Sequence, residues 1–141
     1  MLNLKKLLSK TLEEIADLKA APSGIDEVVQ QGTSGNSNYR VWNNGTVEVW
    51  GVVNANCNEM SSFATGLYRI AKDLSFVILG TLGVTKITSE QFSVRTTGGS
   101  GYATVWSAYI DASNKAHIQV VGSNANAGTV AIDYYIVGTK S

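Results

Sequence analysis

The chain changes its hydrophobic period near residue 28. Before that point Met1, Leu4, Leu8, Ile15 and Leu18 recur at alternating three- and four-residue steps, with Thr11 in the one polar position of the seam. Leu7 and Leu12 widen the stripe, while Glu13, Glu14, Asp17 and Lys19 occupy the other faces. This spacing predicts an amphipathic helix. It should end around Pro22-Ser23-Gly24, where proline cannot continue the helix and glycine can cap it. A helix of about three heptads is marginal alone in water, so its stripe needs a partner. That partner is either the rest of the chain or further copies in a short parallel coiled coil. We favour the coiled coil, with Leu4, Leu8, Ile15 and Leu18 as oligomerising residues. Ile at an a-type position with Leu at d-type positions permits a dimer, and the seam is too short to fix the copy number.

From residue 28 the period shortens to two. Strands are expected near 38–43, 46–54, 74–82, 90–97, 102–110, 116–122 and 129–138. The turn signals between them are Asn44-Gly45, Gly83, Gly98-Gly99-Ser100-Gly101, Asn114 and the run GSNANAG at 122–128. Many short strands punctuated by Gly and Asn predict a mainly β fold, an antiparallel sandwich or barrel. Residues 54–72 fit neither period; Phe63, Leu67, Tyr68 and Ile70 in this stretch could cover an open end of the sandwich.

The stretch YRVWNNGTVEVWG at 39–51 allows a choice of register. A loop of Asn44-Gly45 alone would set Arg40 opposite Val49 and Val41 opposite Glu48. A three-residue loop, Asn43-Asn44-Gly45, sets Arg40 opposite Glu48 and Val41 opposite Val47. The second pairs charge with charge and branched apolar with branched apolar, and puts Gly45 where such loops need a left-handed residue. It is the expected register. Alternation then divides the strands into faces. Val47, Val49, Gly51 and Val53 oppose Glu48, Trp50 and Val52. Val130, Ile132, Tyr134 and Ile136 oppose Asp133 and Tyr135. Phe92 and Val94 point inward against Gln91, Ser93 and Arg95, as do Ile118 and Val120 against His117 and Gln119.

Charge follows the same division, with nine charged residues in 1–27 and thirteen in 28–141. Eleven basic residues balance eleven acidic ones, so no long-range field would hold nucleic acid or an acidic membrane. No uninterrupted apolar run suggests a signal peptide or a membrane span; the chain is expected to be made in the cytoplasm without membrane insertion. Cys57 is the single cysteine and His117 the single histidine. That rules out an internal disulfide framework and a zinc site of the Cys/His kind. Cys57 reads as a small, partly buried residue.

Catalytic patterns are missing too. There is no G-x-S-x-G nucleophile turn, and TTGGSGYATVW lacks the lysine and helix of a phosphate loop. Glu48, Glu59, Asp73, Glu90, Asp111 and Asp133 supply carboxylates without a reason to set two across a cleft. The expectation is a non-enzyme with no cofactor and no metal. A surface rich in Ser, Thr, Asn, Gly and aromatics suits carbohydrate, since aromatic planes stack on sugar rings and short polar groups hydrogen-bond their hydroxyls. Trp42, Trp50 and Tyr134 are expected in the core or in subunit contacts, while Tyr102, Trp106, Tyr109 and Tyr135 stay open between packing and binding. The outward rows nominate Arg95, His117, Gln119, Asp133 and Tyr135 for a saccharide, with Trp106 as a stacking platform.

The stretch VVQQGTSGNSNYRVWNNGTVEVWG at 28–51 resembles the start of the C-terminal head domain of phage and prophage tail-fibre or receptor-binding proteins. Gly32, Thr33, Ser34 and Gly35 match the family's lead-in, and Tyr39, Arg40, Trp42, Gly45, Trp50 and Gly51 match its hairpin. GLYRIAKDLSF at 66–76 and VAIDYYIVGTKS at 130–141 are similar to its loop into a strand and its terminal strand, although Thr139-Lys140 replaces the usual aromatic. The middle, 80–125, shows general character only. The resemblance implies a jelly-roll-like β-sandwich head, usually a homotrimer, carried on the virion as part of a phage tail and attaching to a host cell-surface saccharide. Other tail or baseplate proteins are further partners on this reading. The expected organisation is a stalk helix at 1–24, a neck at 25–38 and the head at 39–141. Three rivals share these features: a fibre-tip knob or trimerisation cap without ligand, a tail-associated glycan-cleaving enzyme, and a cellular lectin unrelated to phage.

Overall fold

The computed structural model describes residues 3–20, 25–97 and 101–140, with residues 14–20 described by their backbone alone. Helix α1 runs Leu4–Ala20. Asn3 starts it, its side-chain oxygen accepting the Lys6 N–H at 3.3 Å, which satisfies one of the donors a helix leaves open at its N-terminus. Leu4, Leu7, Leu8 and Leu12 are all exposed, so among the described side chains the stripe is uncovered. The side chains of Ile15 and Leu18, and the expected stop at Pro22-Ser23-Gly24, lie outside the described residues.

The rest is two antiparallel sheets facing one another. The first contains β1 (Val28–Ser34), β2 (Ser37–Trp42), β3 (Thr46–Asn56), β6 (Val84–Thr96) and β9 (Thr129–Lys140), in the order β1-β2-β3-β9-β6. The second contains β4 (Ser61–Ala64), β5 (Leu67–Ser75), β7 (Ala103–Ile110) and β8 (Lys115–Gly122), in the order β4-β5-β8-β7. A short helix, α2 (Val77–Thr81), joins β5 to β6. The fold is therefore mainly β and sandwich-like.

The expected faces are found. Val47, Val49, Val130, Ile132 and Ile136 of the first sheet meet Ala116, Ile118 and Val120 of the second, all buried. Burying a branched aliphatic side chain is worth about 1.5–3 kcal/mol, so these rows alone account for much of the drive to close the sandwich. Cys57 joins the core as a free, fully buried thiol. Phe76 sits at one end, edge-on to Tyr134 at 4.8 Å between ring centroids.

The β2–β3 hairpin adopts the three-residue loop, with Arg40 opposite Glu48 and Val41 opposite Val47. Gly45 has φ +86, the left-handed conformation this loop demands. Gly51 is held for a different reason. A β-carbon there would lie 2.1 Å from the Asn36 carbonyl oxygen and 2.6 Å from the Tyr134 hydroxyl. Its bare backbone lets the β1–β2 turn and the Tyr134 phenol meet, and Tyr134 then donates to Asn36 O at 3.0 Å.

Three expectations need correction. The stretch at 74–82 is not a strand: β5 ends at Ser75, and α2 follows. Phe76-Val77-Ile78-Leu79 is an unbroken apolar run, so its pattern does not distinguish periods, and the turn closes through Leu79 N–H to Phe76 O and Leu82 N–H to Ile78 O. Residues 54–72 are not an irregular cover, because β3 runs to Asn56 and β4 and β5 form a hairpin. Within the expected neck, β1 pairs with β2 as an edge strand. It is exposed almost throughout, and a strand wet on both sides carries no alternation to read. Gly98-Gly99-Ser100, an expected turn, lies outside the described residues.

Candidate functional site

The outer face of the second sheet carries an aromatic and polar row. Asp73 pairs across to His117 and Ala71 to Gln119 on β8, while Tyr109 and Ser107 of β7 face the same two residues from the other side. Pairing in β7 slips between Val105 and Ser107, and the extra residue, Trp106, is thrown outward and 58% exposed. A similar slip in β4 between Ser62 and Ala64 frees Phe63. The two rings stack at 5.3 Å and 17°, an offset geometry that suits aromatic pairs. The Arg69 guanidinium stands 5.5 Å from the Phe63 ring centroid. Phe63, Leu67, Trp106 and Val121 border a shallow apolar depression of about 330 Å³.

Next to it, His117 is held at both nitrogens: Nε2 lies 2.8 Å from Asp111 Oδ2 and Nδ1 lies 3.0 Å from Asp73 Oδ1. The Tyr109 ring stacks on the imidazole at 4.8 Å. Lys115 Nζ reaches Asp73 Oδ2 at 3.3 Å. Asp111 is fixed by its own turn, its Oδ1 accepting the Ser113 and Lys115 N–H groups at 2.8 and 3.1 Å. The hydrogen bond to Asp111 raises the His117 pKa above its ordinary 6.5, and Asp73 adds to it against partial desolvation. Asp73 is lowered chiefly by its bond to Lys115, and Asp111 chiefly by its bond to His117. The result is a surface chain of alternating acids and bases, Asp111–His117–Asp73–Lys115.

The outer face of the first sheet differs in kind. Arg95 donates to Asp133 through Nε at 2.8 Å and through a terminal nitrogen at 3.3 Å. Glu48 accepts Trp42 Nε1–H at 2.6 Å and the Tyr135 hydroxyl, and lies 3.1 Å from Arg40 Nε. The Arg40 guanidinium packs on two rings, 5.0 Å from Trp50 and 5.7 Å from Trp42. Burial in this cluster opposes the Glu48 charge, but the bonds from Tyr135 and Trp42 and the nearby Arg40 outweigh it and hold the pKa below its ordinary 4.5. Trp42 and Trp50, expected in the core or between subunits, are half-buried walls for Arg40. Tyr134 is in the core.

The six nominated saccharide residues are thus divided between opposite faces. Trp106, His117 and Gln119 share the second sheet's outer surface; Arg95, Asp133 and Tyr135 lie on the first, already paired with neighbours. Asp73, Asp111, Arg69 and Phe63 belong with the former group and were not nominated. Asp73 was hidden by the misplaced strand: alternation from Leu67 would have set it outward, opposite Leu74. Phe63 and Trp106 depend on bulges, which leave no mark in a period of two. Among the described residues, no group of three His, Cys, Asp or Glu side chains is placed to hold a metal ion, and no helix is long and apolar enough to cross a membrane. Comparison with family models, curated proteins and solved structures returns no match.

Proposed function

We propose that this chain is a non-enzymatic adhesion head of a phage tail, gathered into a homotrimer by a coiled-coil stalk built from α1 and attaching to a host cell-surface saccharide. The observation that carries the reading is the outer face of the second sheet. Exposed Trp106 and Tyr109 of β7 lie beside Gln119 and His117 of β8, with Asp73 of β5 beyond His117, offering ring planes next to fixed donors and acceptors. Sugars need both, and a sheet surface kept only for solubility does not need two stacked aromatic pairs. The residues of the family resemblance support it from another direction. Arg40, Trp42 and Trp50 form one clamp, Gly45 takes the left-handed conformation of the hairpin loop, and Gly51 sits where a side chain would collide with the Asn36 carbonyl.

Fluorescently labelled protein should bind saturably to one strain in a bacterial panel and lose that binding when surface polysaccharide is removed. Trp106→Ala, which removes the ring a sugar's C–H face would pack on, should weaken it about tenfold or more, about 1.4 kcal/mol or more. Folded protein that labels no strain, with the producing phage's host included, would instead favour a ligand-free knob. Release of sugar fragments from the polysaccharide would favour the glycan-cleaving enzyme.

A further inference from the structure

Strand β4 pairs with β5 only over Leu67–Arg69, whereas β8 pairs with β5 from Tyr68 to Ser75. Beyond Arg69, β5 therefore has an open edge, and alternate peptide groups on that side have no strand to bond. A cleft of about 380 Å³ lies between this edge and the β1–β2 turn, within the size range of small-ligand sites. Ser34 and Asn36 line it from the turn, Asp73 and Ser75 from the edge, Val77 from the start of α2, and Tyr134 from the first sheet.

The walls are rigid where they need to be. Tyr134 donates to the Asn36 carbonyl and shares a 2.7 Å hydrogen bond with the Ser37 hydroxyl, so the turn is tied to the core. The side chains of Ser34, Asn36 and Ser75 have no hydrogen-bond partner among the described residues, leaving two hydroxyls and an amide facing a space beside the 75% exposed Val77. An apolar patch next to uncommitted short polar groups matches a sugar ring, which has C–H faces and a hydroxyl rim. The charges argue for a neutral ring. Asp73 is the charged group in the wall, and it is already matched by His117 and Lys115. An acidic sugar or a phosphate entering here would find no cation of its own and would be desolvated without compensation.

Asp73 also belongs to the row on the outer face. The cleft therefore opens directly onto the Tyr109–His117 stack, with Trp106 three residues back along β7, about 10 Å at the usual strand rise. We propose that the cleft between the β1–β2 turn and the open edge of β5 holds one uncharged pyranose residue of the host saccharide, and that the following residues cross the outer face from Tyr109 toward Trp106. This rests on the adhesion reading and adds to it a pocket, a direction and a charge preference.

The test uses the full chain and short oligosaccharides cut from the surface polysaccharide of the strain it labels. Titration into isotope-labelled protein should shift amide signals of residues 34–37 and 73–78 together with those of Tyr109 and Gln119. Ser75→Trp, which fills the cleft from an exposed position, should weaken oligosaccharide binding about tenfold or more at an unchanged thermal midpoint. Shifts confined to the outer face, or full binding by folded Ser75→Trp, would overturn the pocket and leave the adhesion reading standing. Tighter binding of uronic-acid fragments than of neutral ones would overturn the charge preference. Should Ser75→Trp not fold, the wild-type amide map decides alone. Labelling of no strain would bring down the adhesion reading and the pocket with it.

Discussion

Glu48 is the point on which the first sheet's outer surface converges, and its role is open to a direct test. Its carboxylate takes hydrogen bonds from Trp42 and Tyr135 and sits beside Arg40 in a site where its side chain is only 13% exposed. Glu48→Gln keeps the shape but removes the charge and one acceptor oxygen, so it should destabilise the fold by about 2 kcal/mol at pH 7. The folded pKa is depressed, so this contribution is present above the unfolded value and lost as pH falls through the folded one. Urea unfolding of wild type and variant should therefore show a gap at pH 7 that narrows by pH 3; an unchanged gap would assign the effect to the lost acceptor oxygen and not to the charge. His117 carries the opposite sign. Its folded pKa is raised, so its contribution is complete below the unfolded value and fades as pH rises through the folded one. The imidazole should titrate above 6.5 by proton NMR, and Asp111→Asn should bring its midpoint down. A wild-type midpoint at or below 6.5 would mean that the two carboxylates do not hold the ring in solution.

Within the elements, legibility followed how many constraints each stretch obeyed at once. The β2–β3 hairpin combined a turn signal, a charge pair and an apolar pair, and only one register satisfied all three. Strands β8 and β9 alternate cleanly because one face is buried and the other wet. The losses came where a single cue had to suffice: FVIL within LSFVILGTL is an unbroken apolar run that fits a strand or a helix, and GTSG looks flexible although it forms part of an edge strand and its turn. The candidate site suffered from the same errors, since Asp73 and Ser75 sit on the misread boundary of β5 and Ser34 and Asn36 in the segment read as neck. Two glycines test the close packing that results. Gly51→Ala forces a methyl into the Asn36 carbonyl and the Tyr134 phenol and should cost about 3 kcal/mol. Gly80→Ala, in α2, meets only the Asn114 amide at an ordinary 3.5 Å and should stabilise the fold by about 0.5 kcal/mol through helix propensity. Thermal midpoints moving in opposite directions would support the crossing at Gly51; equal small shifts would not.

At the scale of the whole molecule, the fold separates two tasks. The sandwich buries its own core and presents a polar, aromatic face, while α1 leaves Leu4, Leu7, Leu8 and Leu12 in water. An isolated helix of this length gains little from propensity, so under the proposed reading its stripe is covered by other copies of itself. Assembly then matters for function more than for the stability of each head: a sugar site of modest affinity becomes effective when linked sites engage one surface together. Leu8→Glu in the full chain places a charge in the seam without touching the sandwich. Sedimentation equilibrium should show wild type at three chains and the variant at one, with near-identical near-UV spectra from the heads. Oligosaccharide affinity per head should be unchanged, whereas cell labelling should fall by roughly 10²–10⁴-fold, the usual range of avidity lost with linkage. A variant that stays trimeric would move assembly from the helix to the heads. A wild type that is already a single chain would remove the stalk, and strong labelling by that single chain would mean one head suffices for attachment.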